Sequence, residues 1–261
     1  MIFFSPITLV SAISRQFPEA LFFKPTTQPV IALTIDDVGD ASTQQLVDVI
    51  ADHNQKMAGI EPPANATFFI MTHHLNDNPG ILETLFIQNH EIGNHGIYDH
   101  THANLKPEEL EQELYQAHEA LTRKSQTPVK WFRPGRGRYN QGMVKILSQM
   151  VKSAGYYPQF ALASMIPLDT YQFTNHPQFT TQYVSQFIFP GSILVLHGGS
   201  ESRTRQTKIA LKQILSYCSQ NHYQVVSLTD LYEQFLEFLY HLLIVIGLKH
   251  EYSQKFKAKE K

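Results

Sequence analysis

The chain is predicted to be an α/β protein in which about seven parallel strands close into a barrel. Short apolar runs alternate with amphipathic helical stretches from residue 30 onward, and repeated strand–helix units imply parallel strands joined by right-handed crossovers. No internal repeat or long linker divides the 261 residues. All-parallel barrels occupy this length as a single domain, so we expect one domain.

The first strand is predicted at Val30 to Ile35, an apolar, branched run that suits a strand buried on both faces. Apolar runs of similar length predict further strands at residues 65–70, 90–94, 129–133, 157–163, 192–196 and 224–227.

Helices are predicted at residues 42–53, 81–89, 106–123 and 142–154. In the third of these, Pro107 occupies a first-turn position and an apolar stripe follows it. Gly155 ends the fourth. Residues 164–190 are rich in Gln, Thr, Phe and Pro and are predicted to form a long loop over the barrel mouth.

The two ends are predicted to lie outside the barrel domain, which we place at 28–232. Residues 1–27 form an N-terminal extension that is apolar but lacks a positively charged segment, so it is a poor signal peptide. Residues 233–261 form an apolar helix and a lysine-rich tail. The helix is too short to span a bilayer, and with the tail it predicts packing on the barrel or peripheral contact with anionic lipid. The compartment is not fixed by these features.

Composition excludes some functions. The chain has 21 basic and 23 acidic residues and a formal charge of -2, which argues against a nucleic-acid partner. Cys218 is the single cysteine, so an internal disulfide is excluded. Five of the 13 histidines lie between residues 90 and 118, and this clustering suggests metal binding.

Three polar clusters each follow a predicted strand: Asp36 with Asp37, His95 with Asp99, and His197. The carboxyl ends of barrel strands meet at one face, so we expect these side chains to converge. Together they provide metal ligands, a general base and a general acid, which is what water-splitting at a metal requires. An Asx turn is the alternative interpretation of the aspartate pair.

Two ligands for one ion are predicted in the second cluster. His95 and Asp99 are four positions apart and meet on one face if the chain turns helically. His100 and His102 need an irregular loop to take the place of Asp99. The spacing from His95 favours Asp99 over the two histidines, and its carboxylate is an acceptable ligand because oxygen donors also suit zinc.

An arginine-rich turn follows the predicted strand at 129–133. Arg133 comes after two apolar residues at the strand end and is predicted to point inward, where it can orient a carboxylate. Arg136 follows beside glycines. Asp169 is predicted to orient His197 or Arg133, or to line the substrate groove with Arg136 and Tyr171.

These segments, in this order, resemble the NodB-type polysaccharide deacetylases, carbohydrate esterase family four. The sequence 34-Thr-Ile-Asp-Asp-37 is similar to the first family motif, which implies that Asp36 is the base and Asp37 a metal ligand. The sequence 91-Glu-Ile-Gly-Asn-His-95 resembles the lead-in to the second motif and implies that His95 is a ligand.

The third and fifth motifs have similar counterparts. The segment 132-Phe-Arg-Pro-Gly-Arg-Gly-137 resembles the third, whose arginine, here Arg133, positions the base. The segment 195-Val-Leu-His-197 resembles the fifth and implies that His197 is the general acid.

The chain also departs from the family pattern. Gly96 replaces the expected hydroxyl residue, and Asp99 stands where a second histidine is usual. Arg136 replaces an aromatic residue. The fourth motif is represented only by Asp169, without its tryptophan.

The resemblance implies a distorted (β/α) barrel that removes N-acetyl, or less often O-acetyl, groups from a carbohydrate and releases acetate. It implies a divalent cofactor, with Zn²⁺ as the expected ion. Two alternatives stay open at this point: a catalytically impaired barrel that binds carbohydrate, and a barrel amidohydrolase that acts on a small molecule.

Overall fold

The computed structural model describes residues 5–123 and 128–233. The apolar helix and basic tail predicted for residues 233–261 therefore lie almost wholly outside the described residues. Among the helices that are described, none has the length and apolarity needed to cross a membrane.

Strands and helices alternate along most of the described chain. Its strands are β1 (Ala20–Leu21), β2 (Val30–Val38), β3 (Thr67–Ile70), β4 (Glu91–Asn94), β5 (Phe160–Ala161), β6 (Ile193–His197) and β7 (Gln224–Val226). Its α-helices are α1 (Pro6–Gln16), α2 (Gln44–Met57), α3 (Ile81–Ile87), α4 (Pro107–Thr122), α5 (Gln141–Ser153), α6 (Pro177–Phe187) and α7 (Glu201–Gln220). Short 3-10 turns lie at Ala41–Thr43, Thr72–Asn76, His102–Asn104 and Gly135–Gly137.

Strand β2 is the centre of the sheet. The order β4-β3-β2-β6 is parallel throughout, and β7 also pairs with β2. Strands β1 and β5 form a separate parallel pair, and single bridges join Asn94 to Phe132 and Met165 to Leu194. The predicted α/β fold with parallel strands is confirmed, and the gaps between the ladders make the barrel a distorted one.

The side chains of β2 alternate between the two faces of the sheet, and this alternation sets the direction of the polar residues at the end of the strand. Ile31, Leu33 and Ile35 belong to the larger buried apolar cluster, whereas Val30 and Ala32 belong to a second, smaller cluster. Successive strand side chains point to opposite faces, so Thr34 and Asp36 share the face of Ala32. Burying each large aliphatic side chain of β2 contributes roughly 1.5–3 kcal/mol, which fixes this register and with it the direction of Asp36.

The sequence predictions differ from the structure in three places. Residues 129–133 form one parallel bridge, not a full strand, and the segment is bounded by Pro128 and Pro134, which lack backbone N–H donors. The predicted loop at 164–190 contains α6, which starts at Pro177 and buries Thr180 and Val184 one turn apart. Strand β1 lies within the predicted extension and pairs with β5.

Candidate metal centre and catalytic groups

Asp36 and Arg133 form a buried ion pair at the end of β2. Arg133 Nη1 donates to Asp36 Oδ1 at 2.6 Å and to Thr34 Oγ1 at 2.7 Å. Its Nε and Nη2 donate to the carbonyls of Ala161 and Leu162 at 2.6 and 3.1 Å. The side chains of the pair are only 7% and 4% exposed. Because every contact restrains the guanidinium, the Asp36 carboxylate is held in one orientation.

Asp37 follows with a left-handed backbone, φ 61°. This conformation is costly for a residue other than glycine, and it turns the side chain away from the path of the strand. Oδ1 lies 3.3 Å from His95 Nε2, at the end of β4. Arg203 Nη1, from the first turn of α7, donates to Oδ2 at 2.9 Å.

His95 has the hydrogen-bonding pattern of a metal ligand. Its Nδ1 lies 2.8 Å from the carbonyl oxygen of Arg133, and a carbonyl only accepts, so Nδ1 carries the proton. The neutral ring then presents the lone pair of Nε2 to Asp37 Oδ1, another acceptor. Such an arrangement, in which the far nitrogen donates to a carbonyl, orients histidine ligands in metal sites.

The spacing of these two acceptors fits a divalent ion. Zinc bonds of about 2.0–2.2 Å at a tetrahedral angle place two donor atoms roughly 3.4 Å apart. The observed separation of 3.3 Å needs no rearrangement of either side chain. Without a metal, only a proton shared between the two groups would relieve their repulsion.

Electrostatics at the pair agree with this geometry. Burial alone would raise the pKa of Asp37, but His95, His197 and Arg203 outweigh it and lower the pKa to about 2. Burial alone would lower the pKa of His95, and the carboxylates of Asp36 and Asp37 reverse this, so its pKa is raised. The site therefore favours negative charge on Asp37 and positive charge at His95, which a proton or a bound metal ion can supply.

His197 ends β6 opposite Asp36 in the strand register. Its Nδ1 lies 2.7 Å from Asp169 Oδ1, and its backbone N–H donates to Asp169 Oδ2 at 2.9 Å. Burial alone would lower the pKa of His197, but Asp169, Asp36 and Asp37 raise it. The imidazole is therefore oriented and held more basic, as a general acid near neutral pH requires.

A second cluster contains His100, His102 and Glu113, whose ligand-type atoms all lie within 4.8 Å of one another. His100 Nε2 is 3.0 Å and His102 Nε2 is 3.5 Å from the Glu113 carboxylate. The Gly135 N–H donates to His102 Nδ1 at 2.8 Å. The neutral ring of His102 therefore carries its proton on Nε2, toward Glu113, and has no lone pair there for an ion.

The remaining predicted residues lie at the surface or in the loop beside His197. Asp99 Oδ2 accepts from Arg136 Nη2 at 2.9 Å, and their side chains are 35% and 60% exposed. The contacts of Asp99 are thus with Arg136 and not with Asp37 or His95. Tyr171 is 63% exposed, two residues after the buried Asp169.

Three residues near these groups were not predicted from the sequence. Arg203 lies on α7, in a segment that matches none of the motifs found in the sequence. Glu113 lies on α4, and only its position facing His100 and His102 gives it significance. His74 follows β3, and its buried Nε2 has no hydrogen-bond partner among the described residues. Burial lowers the pKa of His74 against the opposing charges of Asp40 and Asp37.

The sequence was also compared with protein families and with individual proteins of known function. The polysaccharide deacetylase family profile matches residues 23–156. A peptidoglycan-N-acetylglucosamine deacetylase of Bacillus cereus is 27% identical over 213 residues, which cover 79% of this chain and 90% of that protein. The peptidoglycan-N-acetylmuramic acid deacetylase PdaA of Bacillus subtilis is 22% identical and covers 82% and 75%.

Solved structures share the fold. The peptidoglycan deacetylase PdaC of Bacillus subtilis superposes with a TM-score of 0.68 at 21% identity, covering 83% of this chain and 96% of that one. A CE4 family pseudoenzyme of Bacillus anthracis superposes with a TM-score of 0.67 at 20% identity, covering 82% and 69%. The profile spans slightly more than half of the sequence, and the chain therefore belongs to the polysaccharide deacetylase family.

Proposed function

We propose that the chain is a metal-dependent deacetylase that hydrolyses N-acetyl groups on a glycan of the peptidoglycan type and releases acetate. The observation that carries this proposal is the meeting of three oriented pairs at the ends of β2, β4 and β6: Asp36 with Arg133, Asp37 with His95, and Asp169 with His197. Relatives named as peptidoglycan deacetylases support the substrate class.

Asp37 and His95 would hold the ion, expected to be Zn²⁺. When bound, it would polarise the acetyl carbonyl and lower the pKa of water. The contacts of Asp99 and the tautomer of His102 favour neither as a third protein ligand. Solvent and substrate oxygens would then complete the shell, so we expect zinc to be held less tightly than in sites with three protein ligands.

The side chains divide the proton transfers of amide hydrolysis. Asp36 accepts a proton from the attacking water, and its Oδ2 has no hydrogen bond to a described residue that would compete. Arg133 holds that carboxylate in one orientation. As the C–N bond breaks, protonated His197 donates from Nε2 to the leaving amine, and Asp169 stabilises the imidazolium before transfer. The products are acetate and the free amine of the sugar.

The test is the substitution Asp36→Asn. It keeps the shape of the side chain and removes the base, so acetate release from a chitooligosaccharide or peptidoglycan should fall by about 10²–10⁴-fold. Zinc content should not change, since Asp36 is not a ligand. Asp48→Asn on the exposed face of α2 is the matched control. Unchanged turnover in Asp36→Asn would defeat the assignment.

A catalytically impaired barrel that binds carbohydrate is the second candidate, and the position of Asp99 against Arg136 favours it. A pure binder has no use for both an arginine-held base and a carboxylate-held acid, so we prefer catalysis. Sugar binding by wild type without acetate release in the presence of zinc would select the binder. Acetate release from a small amide but not from a glycan would select an amidohydrolase.

A further inference from the structure

We infer that Arg203 is a positioning residue that locks the Asp37 carboxylate, so that one oxygen, Oδ1, is presented to the metal. The inference rests on the proposed function and deepens it. It assigns a role to a side chain that comes from a helix and lies outside every motif found in the sequence.

The two oxygens of Asp37 have separate partners. Oδ1 lies 3.3 Å from His95 Nε2, while Oδ2 accepts from Arg203 Nη1 at 2.9 Å. The same nitrogen donates to the carbonyl of Gly198 at 3.1 Å. Since Oδ2 is occupied, rotation of the carboxylate or two-oxygen binding of an ion would break a charge-assisted hydrogen bond.

Arg203 is itself held by the first turn of α7. Ser200 is the N-cap, and its Oγ accepts from the Arg203 N–H at 3.4 Å. Further along the first two turns, Thr204 Oγ1 lies 2.7 Å from Ser42 Oγ, and Thr207 Oγ1 donates to the carbonyl of His197 at 2.7 Å. The guanidinium therefore projects from a helix end fixed to the loop after β2 and to the end of β6.

Glycines allow this helix end to approach Asp37. Gly199 has φ 80°, and a Cβ there would lie 2.4 Å from the Asp37 carbonyl oxygen and 2.9 Å from its Cβ. A Cβ on Gly198 would lie 2.7 Å from Val38 Cγ1. A side chain at Gly199 would clash with the Asp37 backbone, so glycine at this position permits the close approach of the helix end that carries Arg203.

Residues that are hydrogen-bonded to metal-ligating side chains affect metal affinity both by orienting the ligand and by their charge. Their removal typically costs 10–100-fold in affinity or activity. A positive charge beside the ion acts in the opposite direction, because it repels a cation. The two effects have opposite signs, so zinc affinity distinguishes positioning from simple charge balance.

The experiment compares zinc affinity in the full chain and three variants by competition with a chromophoric chelator. Arg203→Met removes both hydrogen bonds and should weaken zinc binding about 10-fold or more. Arg203→Lys keeps a donor of similar reach and should restore most of the affinity. Arg205→Met is the control, because Arg205 is 67% exposed and lies 3.9 Å from Glu201 on the same helix.

Two results would overturn the inference while the proposed function stands: equal zinc affinity, or tighter binding, in Arg203→Met when wild type binds zinc and releases acetate. Arg203→Lys tests the same point if the methionine variant does not fold. Zinc binding about 10-fold weaker in Arg203→Lys than in Arg205→Met would contradict the hydrogen-bonding role. A wild-type chain that binds no zinc would instead overturn the proposed function.

Discussion

His95 and His102 are both buried histidines in the segment after β4, yet their hydrogen bonds run in opposite directions. Nδ1 of His95 donates to the Arg133 carbonyl, so in the neutral ring Nε2 is the nitrogen with a lone pair, and it faces Asp37. Nδ1 of His102 accepts from the Gly135 N–H, so Nε2 carries the proton toward Glu113. From this comparison we expect the hydrogen-bond partner of the far nitrogen, and not the presence of a nearby carboxylate, to decide which of the two histidines can bind a metal.

The same substitution at both histidines gives the largest expected contrast. Asparagine can reproduce the hydrogen bond of Nδ1 in each case but has no atom in the place of Nε2. We therefore expect His95→Asn to lose zinc and acetate release, and His102→Asn to keep one zinc per chain and most of its turnover. Metal analysis and an acetate assay on the two purified variants check this. Loss of zinc from both variants, or from His102→Asn alone, would contradict the comparison.

Gly96 lies between the two histidines in the sequence and allows the His102 ring to pack against the backbone next to His95. A Cβ at Gly96 would lie 2.3 Å from His102 Nε2, and φ is 87°. Gly96→Ala should cost about 1–3 kcal/mol from the backbone and a similar amount from overpacking, measured by urea unfolding.

Gly59→Ala is the control for Gly96→Ala, because Gly59 has φ 78° with no atom within 4 Å of the added Cβ. It should show the backbone cost alone. Equal destabilisation by the two variants would mean that His102 does not depend on the space at Gly96.

A third histidine, His197, differs from both, because its proposed role is that of the general acid. The negative charge of Asp169 helps to raise the pKa of His197 against the effect of burial, so Asp169→Asn should lower that pKa. A general acid must be protonated to act, and activity is lost as pH rises through its pKa. The alkaline limb of the kcat/KM profile should move to lower pH in Asp169→Asn. An unmoved limb would assign the acid to another group.

The smallest effect is expected at Asp99. Its exposed ion pair with Arg136 is of a kind that typically contributes about 0–1 kcal/mol. Asp99→Ala should leave zinc content unchanged and change the free energy of unfolding by less than about 1 kcal/mol. Zinc loss from this variant would restore Asp99 as the third ligand predicted from spacing.

The fold class and the position of several polar residues at strand ends could be predicted from the sequence. The apolar run of β2 predicts its own burial, and the carboxyl ends of parallel strands meet, so Asp36, His95 and His197 could be placed at one face. The order of the strands, and the position of Asp36 opposite His197, are known only from the observed sheet.

The loop contacts could not be predicted, because they depend on distant partners. The conformation of the segment after His95 is set by Glu113, which accepts from the Ile97 N–H and lies beside His100 and His102. The spacing from His95 predicted Asp99 as a metal ligand, whereas in the folded loop its carboxylate contacts Arg136. Arg203 contacts Asp37 from the start of α7, where Gly198 and Gly199 permit close packing, and no local sequence pattern predicts that contact.

Anomalous scattering at the zinc edge, from crystals grown with one equivalent of zinc, tests the central claim most directly. We predict a single peak within bonding distance of Asp37 Oδ1 and His95 Nε2, with Arg203 still on Oδ2. A peak at His100, His102 and Glu113 with none beside Asp37 would contradict the account.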